Sequence, residues 1–158
     1  MTNKIIPENS VTIPMQMRWG DMDAYHHANN AVYLKYVEEA RFRWRDGIVG
    51  DGFDEAFKDL LPENTAIVAA GHKIDYVAQM QYGDVKGQIH VHFWNTRLGN
   101  SSVTSATVIT DTSDETVYAK VLTTLVQFNQ ETNKPEPLTE PMKEYLQKFM
   151  GKEPEFHS

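Results

Sequence analysis

The chain has 158 residues, of which 41% are hydrophobic and 11% aromatic. That is the length of one domain, with enough apolar residues for one core, so intrinsic disorder is excluded. Fifteen Lys and Arg against 22 Asp and Glu give a net charge of −7, which argues against partners such as nucleic acid or an anionic membrane surface. The absence of cysteine excludes disulfides, thiolate metal sites and a cysteine nucleophile.

No segment has the features of a targeting signal or a membrane span. The first ten residues lack the long apolar stretch of a signal peptide. The longest apolar run, residues 66–70, is much shorter than a bilayer requires. We therefore expect one domain over residues 1–158, located in the cytoplasm and without membrane insertion.

The first predicted element is a strand near the N-terminus. Val11, Ile13, Met15 and Met17 alternate with more polar residues, and this period of two indicates a half-buried strand. Pro14 lacks a backbone donor, so the strand should lie at a sheet edge or carry a bulge.

The next two elements are a loop and the one long helix. Residues 19–30 have no periodicity and predict a loop, and a helix is expected at about 30–47. Asn29 or Asn30 would cap this helix, and Gly47 lies near its end. One face carries apolar residues at helical spacing, namely Tyr33, Tyr36, Val37, Ala40 and Trp44.

The rest of the chain favours strands joined by short connections. After a short helix at about 53–60, strands are expected within 66–82, 85–94, 102–110 and 116–128. Within 66–82 the even-numbered apolar residues, such as Val68 and Ile74, are expected to face the core. Residues 134–141 should be irregular and residues 142–149 a short helix. Short connections predict antiparallel pairing, so the order of elements predicts an α+β fold in which a sheet wraps one helix. A sheet edge or face would then be covered in an oligomer.

The densest cluster of reactive side chains lies in the loop before the helix. Residues 21–30 contain two carboxylates, two imidazoles and two amides, which can position a substrate and transfer protons. The alternative reading of this segment is a polar loop with an asparagine cap and exposed histidines.

A family resemblance favours the catalytic reading. It is carried by Met17-Arg18-Trp19-Gly20-Asp21-Met22-Asp23-Ala24, His27, Asn29-Asn30-Ala31-Val32-Tyr33-Leu34 and Glu38-Glu39-Ala40-Arg41. This pattern resembles the signature of hotdog-fold acyl-CoA thioesterases of the 4-hydroxybenzoyl-CoA thioesterase type. Weaker similarity extends through residues 98–102 and 132–135.

The resemblance implies a hotdog fold, one long helix wrapped by a five- to six-stranded antiparallel sheet. It also implies hydrolysis of an acyl-CoA thioester by Asp23, acting as nucleophile or as general base. Helix N-terminal amides near Asn29 to Tyr33 would polarise the thioester carbonyl. His27, Asn29, Asn30 and Tyr33 would be substrate-binding residues, with Asn29 alternatively only the cap.

The same resemblance implies a dimer, or a dimer of dimers, with the acyl site between protomers. No cofactor or metal is required, and water is the second substrate. His26 departs from the family pattern, in which glycine is common at this position. Histidine tolerates a positive φ better than most residues, so the turn can survive.

Two alternatives stay open from the residues. A hotdog hydratase or dehydratase would pair His26 or His27 with Asp23, and a non-catalytic module would only bind acyl-CoA or an acylated carrier. His90 and His92 share one strand face at a spacing that suits a metal. With no third ligand evident in the sequence, we expect no metal there.

Overall fold

An antiparallel sheet dominates the computed structural model, which describes residues 5–47 and 57–157. The strand order is β1-β3-β4-β5-β2, and β6 pairs with the end of β5. The strands are β1 Val11–Gln16, β2 Thr65–Tyr76, β3 Gln88–Leu98, β4 Ser102–Thr110, β5 Val117–Asn129 and β6 Lys134–Pro135. All pairings are antiparallel, which confirms the predicted five- to six-stranded sheet.

The long helix α1 spans Val32–Arg45, within the predicted range. Gly47 ends it with a φ of 76°, and its amide donates to Trp44 O. The other helices are the one-turn α2, Tyr82–Val85, and α3, Glu140–Gln147, with 3₁₀ turns at Trp19–Asp21 and Phe57–Leu60. Among the described residues no helix has the length and hydropathy that a bilayer span would need.

The apolar face of α1 packs against the sheet, as its periodicity predicts. All of Tyr33, Tyr36, Val37, Ala40 and Trp44 are buried. The Trp44 ring lies 5.0 Å from that of Phe93 on β3, 4.9 Å from Phe57 and 5.9 Å from Tyr145 on α3. Trp44 therefore joins the helix, the sheet and the C-terminal helix.

The strand predicted within residues 66–82 is wrong in two respects. It ends at Tyr76, and the last residue of the predicted range already belongs to the one-turn helix α2. The pairing of β2 with β5 also shifts register between Ala69 and Gly71. This bulge changes which parity faces inward, so Ile67 packs against the core before it and Ile74 after it. Val68, on the expected buried parity, is 40% exposed.

The C-terminal predictions are close. Residues 142–149 were expected to be helical, and α3 starts two residues earlier, with Thr139 Oγ1 accepting from the Met142 amide as its cap. Residues 134–141, expected to be irregular, contain the two-residue β6. Of the short helix expected at about 53–60, the structure describes only residues 57–60, which form a 3₁₀ turn.

The sheet ends in two different edge strands. The prediction that β1 lies at an edge is confirmed, and Arg43 Nη1 donates to Pro14 O on it at 3.3 Å. The opposite edge is β2, a strand of 12 residues. Its outer side has no strand partner within residues 5–47 and 57–157.

Replacement of Trp44 by alanine should strongly destabilise the protein, because it removes the ring that joins α1, β3 and α3. We expect the free energy of unfolding, measured by urea titration with circular dichroism, to fall by about 3–5 kcal/mol. Lys35→Ala, on the exposed side of the same helix, should change it by less than about 0.5 kcal/mol. A loss of similar size in both variants would contradict the role given to Trp44.

Candidate active site

The loop before α1 folds back on itself as a small closed turn. Met22 and Ala28 form an isolated antiparallel bridge. Inside this bridge the Asp23 amide donates to His27 O at 2.8 Å, and the His26 amide donates to Asp23 O at 3.1 Å. Residues 23–27 therefore form the tip of a defined turn.

This turn is fixed to the segment that follows β2. The Ala28 amide donates to Met80 O at 2.7 Å, and His27 forms an isolated bridge with Gln81. Met80 is fully buried, so the attachment point belongs to the core. The sequence carries no signal for this contact, because residues 80–81 are distant in the chain and belong to no recognisable motif.

Asp21 is a structural residue that sequence analysis left without a role. Its Oδ2 accepts from the Tyr36 hydroxyl at 2.8 Å and from the Arg18 amide at 2.9 Å. Its backbone carbonyl accepts from the Asn29 amide at 2.8 Å. Burial and the hydrogen bond to Asp21 raise the pKa of Tyr36, which keeps the phenol protonated as the donor. The sequence signal for this contact was Tyr36 on the apolar face of the helix, because a buried phenol needs a hydrogen-bond partner.

The two carboxylate oxygens of Asp23 have different surroundings. Oδ1 accepts from the Tyr25 amide at 2.8 Å and from the His27 amide at 3.2 Å. Oδ2 has no hydrogen-bond partner among the residues that the structure describes. The residue is half-buried. The two hydrogen bonds to Oδ1 fix the carboxylate group, and with it the position of the free Oδ2.

The start of α1 differs from the predicted cap. Ala31 occupies the N-cap position and makes no side-chain cap, so the expectation of Asn29 or Asn30 there is wrong. Asn29 instead lies two residues earlier, where its Oδ1 accepts from the Ala31 amide and its carbonyl from the Val32 amide, both at 2.9 Å. Asparagine forms this kind of turn with its own backbone readily.

These bonds decide which amides near the helix start can bind a substrate oxygen. The amides of Asn29, Ala31 and Val32 are occupied. Over positions 29–33, those of Asn30 and Tyr33 have no acceptor among the described residues. Open amides at a helix N-terminus favour a negatively charged oxygen.

Tyr33, near the start of α1, packs against the end of β2. Its ring is 3% exposed and 5.2 Å from the ring of Tyr76. Burial raises the pKa of Tyr33 to about 12, and Tyr76 and Asp23 are among the groups that contribute. The ring thus belongs to the core, and its backbone amide is the part of Tyr33 that lies at the helix start.

Asn30 is exposed and is tied to β2 through its backbone. The Tyr76 hydroxyl donates to Asn30 O at 2.9 Å. Tyr76 is the last residue of edge strand β2. The start of α1, the tyrosine pair and the end of the sheet edge therefore lie together.

The two histidines of the loop have different places. His26 is exposed and adopts a φ of 64°, which confirms that histidine can occupy this left-handed position. His27 is half-buried, and its contacts to the turn are through its backbone.

Asp23 lines none of three cavities, which lie beside β1, at the C-terminal segment and beneath α1. Several large apolar side chains in the loop and at the end of β2 are also exposed. Tyr25 is 78% exposed and Trp19 is 70% exposed, while Tyr76 and Val77 are each more than 40% exposed. Within the residues that the structure describes, the Asp23 carboxylate and the open amides at the start of α1 are therefore not enclosed by any of these three cavities.

Comparison with known proteins identifies the family. The profile of the thioesterase-like superfamily matches residues 17–146. The long-chain acyl-CoA thioesterase FadM of Escherichia coli strain K12 is 27% identical over 136 residues, which cover 86% of this chain and 96% of FadM.

Solved structures agree. A predicted thioesterase from Bacillus stearothermophilus superposes with a TM-score of 0.71 at 26% identity, covering 90% of this chain and 98% of the other. A thioesterase from Thermus thermophilus, solved with coenzyme A and zinc, gives 0.67 at 27% identity and covers 89% and 98%.

The chain belongs to the thioesterase-like superfamily, because the matching profile covers most of its length. The expected hotdog arrangement is confirmed by the agreement with solved thioesterases. The narrower assignment to the 4-hydroxybenzoyl-CoA thioesterase type stays a prediction.

The backbone conformation of His26 yields a test of the loop. His26→Gly should change the free energy of unfolding by less than about 1 kcal/mol. Glycine relieves the backbone strain at φ 64°, but it also raises the conformational entropy of the unfolded chain, and the two effects offset each other. His26→Val should lower it by about 1–3 kcal/mol, since β-branched residues are disfavoured there. Urea titration of both variants checks this, and equal losses would show that the imidazole itself stabilises the turn.

Proposed function

We propose that this protein hydrolyses acyl-CoA thioesters to a free acid and CoA, with Asp23 as the catalytic carboxylate. The observation that carries the proposal is the free Oδ2 of Asp23, in a loop that leads directly into the open amides at the start of α1. Membership of the thioesterase-like superfamily supports the reaction class. CoA in a similar structure and the similarity to a long-chain acyl-CoA thioesterase, FadM, make a long-chain acyl-CoA the first substrate to assay. A cytoplasmic location is part of this proposal.

The amides of Asn30 and Tyr33 would hold the thioester carbonyl oxygen. As the carbonyl carbon becomes tetrahedral its oxygen gains negative charge, which amides and the helix dipole stabilise more than they stabilise the ground state. Removal of one such donor typically costs about 3 kcal/mol in the transition state. These donors are already oriented by the Asn29 turn, so they need no rearrangement during the reaction.

Asp23 can act by either of two routes. As a general base, Oδ2 takes a proton from water while the water oxygen bonds to the carbonyl carbon. Collapse of the tetrahedral intermediate then breaks the C–S bond, and the proton passes to the departing CoA sulfur. As a nucleophile, Oδ2 bonds to the carbonyl carbon and expels the CoA thiolate, leaving a mixed anhydride that water hydrolyses.

The neighbouring polar residues would orient the substrate. Asn30 is exposed beside the open amides, so its side chain can reach the thioester or the attacking water. His27 and Asn29 act mainly through the backbone bonds that shape the turn, and binding by their side chains is the part of the proposal that mutation must test.

A second protomer would complete the site. The outer side of β2 offers a long edge for antiparallel pairing with a copy of itself, and unpaired edges of this length are normally covered. Tyr76 at the end of β2 donates to Asn30 O, so a partner on this edge would lie near the start of α1. The exposed Tyr25, Val68 and Val77 supply apolar surface for the contact. A dimer, or a dimer of dimers, would thus provide the missing pocket wall.

The central prediction concerns release of CoA. Asp23→Asn should lower kcat for a long-chain acyl-CoA by about 100- to 10,000-fold, because the amide neither accepts a proton from water nor attacks the carbonyl. Released CoA can be measured with a thiol reagent, since the protein contains no cysteine. Glu131→Gln, which removes a charge from an exposed turn, is the matched control and should keep full activity.

The same assay separates the alternatives. Full activity of Asp23→Asn would reject the role of Asp23. Binding of acyl-CoA without thiol release by the wild type would indicate a non-catalytic module, and addition of water to an enoyl-CoA with the thioester intact would indicate a hydratase.

The role of β2 can be tested by adding charge to it. Val68→Lys combined with Ala70→Lys should convert a wild-type dimer to monomer in analytical ultracentrifugation, because like charges would face each other across the paired edges. Thiol release should fall with the loss of dimer. Gln16→Lys, an exposed position on the other edge strand, should change neither property. A wild-type protein that is monomeric and active would contradict this part of the proposal.

A further inference from the structure

A second cluster of reactive side chains lies away from the loop, on the face of the sheet opposite to α1. Alternate residues of β3 face opposite sides, so Ile89, Val91 and Phe93 pack in the main core while His90 and His92 share the other side. Asp114, in the turn between β4 and β5, reaches the same place. The residues His90, His92 and Asp114 are called the His–Asp cluster below.

The distances within this cluster are short. Asp114 Oδ1 lies 3.1 Å from His90 Nδ1 and 2.9 Å from His92 Nε2. One ligand atom from each of the three residues can be chosen so that all lie within 4.8 Å of one another. The sequence brings only the two histidines together, and the fold adds the carboxylate of Asp114 as a third group.

We propose that the His–Asp cluster is a binding site for one divalent transition-metal ion of the zinc class, held by His90, His92 and Asp114. Two imidazoles and one carboxylate are ligands that Zn²⁺ accepts, with water in a fourth position. Ligand atoms of a tetrahedral zinc ion with bonds of about 2.0–2.1 Å are roughly 3.3 Å apart. The two N···O distances of the cluster are already close to that value.

Hydroxyl groups around the cluster are placed to orient its ligands. Thr12 Oγ1 on β1 lies 2.7 Å from His92 Nδ1, so Nδ1–H can donate to it and leave the Nε2 lone pair for the ion. The Thr110 hydroxyl lies 2.7 Å from Asp114 Oδ1 and 3.0 Å from His92 Nε2. Such partners fix the ring orientation and the tautomer of metal-binding histidines.

His92 and Asp114 are held in place by different means. His92 is 3% exposed, in the middle of β3 and between its neighbours β1 and β4. Asp114 has a φ of 60°, which turns its carboxylate back toward β3. The turn itself is fixed by Asp111, whose Oδ1 accepts from the Glu115 amide at 2.9 Å.

An ion can reach the cluster from solvent. His90 lines an open cavity of about 400 Å³ beside edge strand β1, which also borders Thr112 and, around that edge, Glu39 and Arg43 of α1. The side chain of His90 is 23% exposed and that of Asp114 is 36% exposed. The buried His92 would thus form the inner ligand, while the cavity side would admit the ion and its water.

The bound ion would link the turn after β4 to β3. This position differs from the candidate active site, whose carboxylate lies in the loop before α1. The ligand set favours Zn²⁺, Co²⁺ or Ni²⁺ over Mg²⁺ and Ca²⁺, which prefer carboxylate, carbonyl and water oxygens.

Metal binding is tested on the untagged full-length chain, stripped with a chelator and titrated calorimetrically with Zn²⁺. We expect one ion per chain and a Tm increase of about 5–10 °C at a 100-fold excess of free zinc over Kd. Mg²⁺ at the same concentrations should give no shift. Co²⁺ should give the visible absorption bands of a four-coordinate ion with nitrogen and oxygen ligands.

The variants locate the ion. His90→Ala and Asp114→Asn, both at partly exposed positions, should weaken zinc binding by at least about tenfold and abolish the Co²⁺ bands. His72→Ala is the matched control, because His72 also lies on a strand and pairs with a threonine hydroxyl, at 3.0 Å. It should bind zinc as the wild type does.

The proposal is overturned if the wild type binds no zinc, or if His90→Ala and Asp114→Asn, folded by circular dichroism, bind it as tightly as His72→Ala does. The cluster would then be a hydrogen-bonded group that only holds the β4–β5 turn. The readouts are stoichiometry, Tm and absorption, so a failure of the proposed thioesterase activity would leave the result interpretable.

Discussion

The Asp23 carboxylate uses one of its two oxygens to shape the turn that presents the other. Oδ1 binds the amides of Tyr25 and His27, and these bonds set the direction of the side chain without consuming Oδ2. A carboxylate on an unanchored loop would lose much of its effective concentration near a substrate, because orientation contributes a large share of catalysis. The rest of the candidate site depends on this division of roles.

The attachment of the loop reaches deep into the fold. Asp21 joins it to the buried Tyr36 on α1, and Ala28 joins it to Met80. The helix and the sheet are in turn held together by the Trp44 aromatic cluster. The geometry of Asp23 is therefore a consequence of core packing, although the residue itself lies in a loop.

Features carried by neighbouring residues could be predicted from the sequence, whereas features that depend on distant contacts could not. The periodicity of residues 33–44 predicts α1 and its buried face, and Pro14 predicts the edge position of β1. The bulge near Ala70 was missed because alternation continues through it in the sequence and only the pairing with β5 reveals the shift. The Asn29 turn was mistaken for a cap because both use the same side-chain oxygen. Asp114 could not be placed beside His92 because the contact depends on strand order and on the left-handed backbone of one turn residue.

Two sides of the sheet thus carry two chemically different clusters. The side that faces α1 leads to the carboxylate and amides, near exposed aromatic residues and the edge strand β2. The opposite side holds the His–Asp cluster between β1, β3 and the β4–β5 turn. In the proposed dimer a partner chain would complete the first as a pocket, whereas the residues of the second all belong to one chain.

Chemical rescue measures most directly whether the free oxygen of Asp23 does the chemistry. Asp23→Ala should release CoA from an acyl-CoA at a strongly reduced rate. Added formate, a carboxylate small enough for the vacated space, should restore the rate in proportion to its concentration. If Asp23→Ala hydrolyses the thioester at the wild-type rate without formate, the carboxylate is not the reacting group and the account is contradicted.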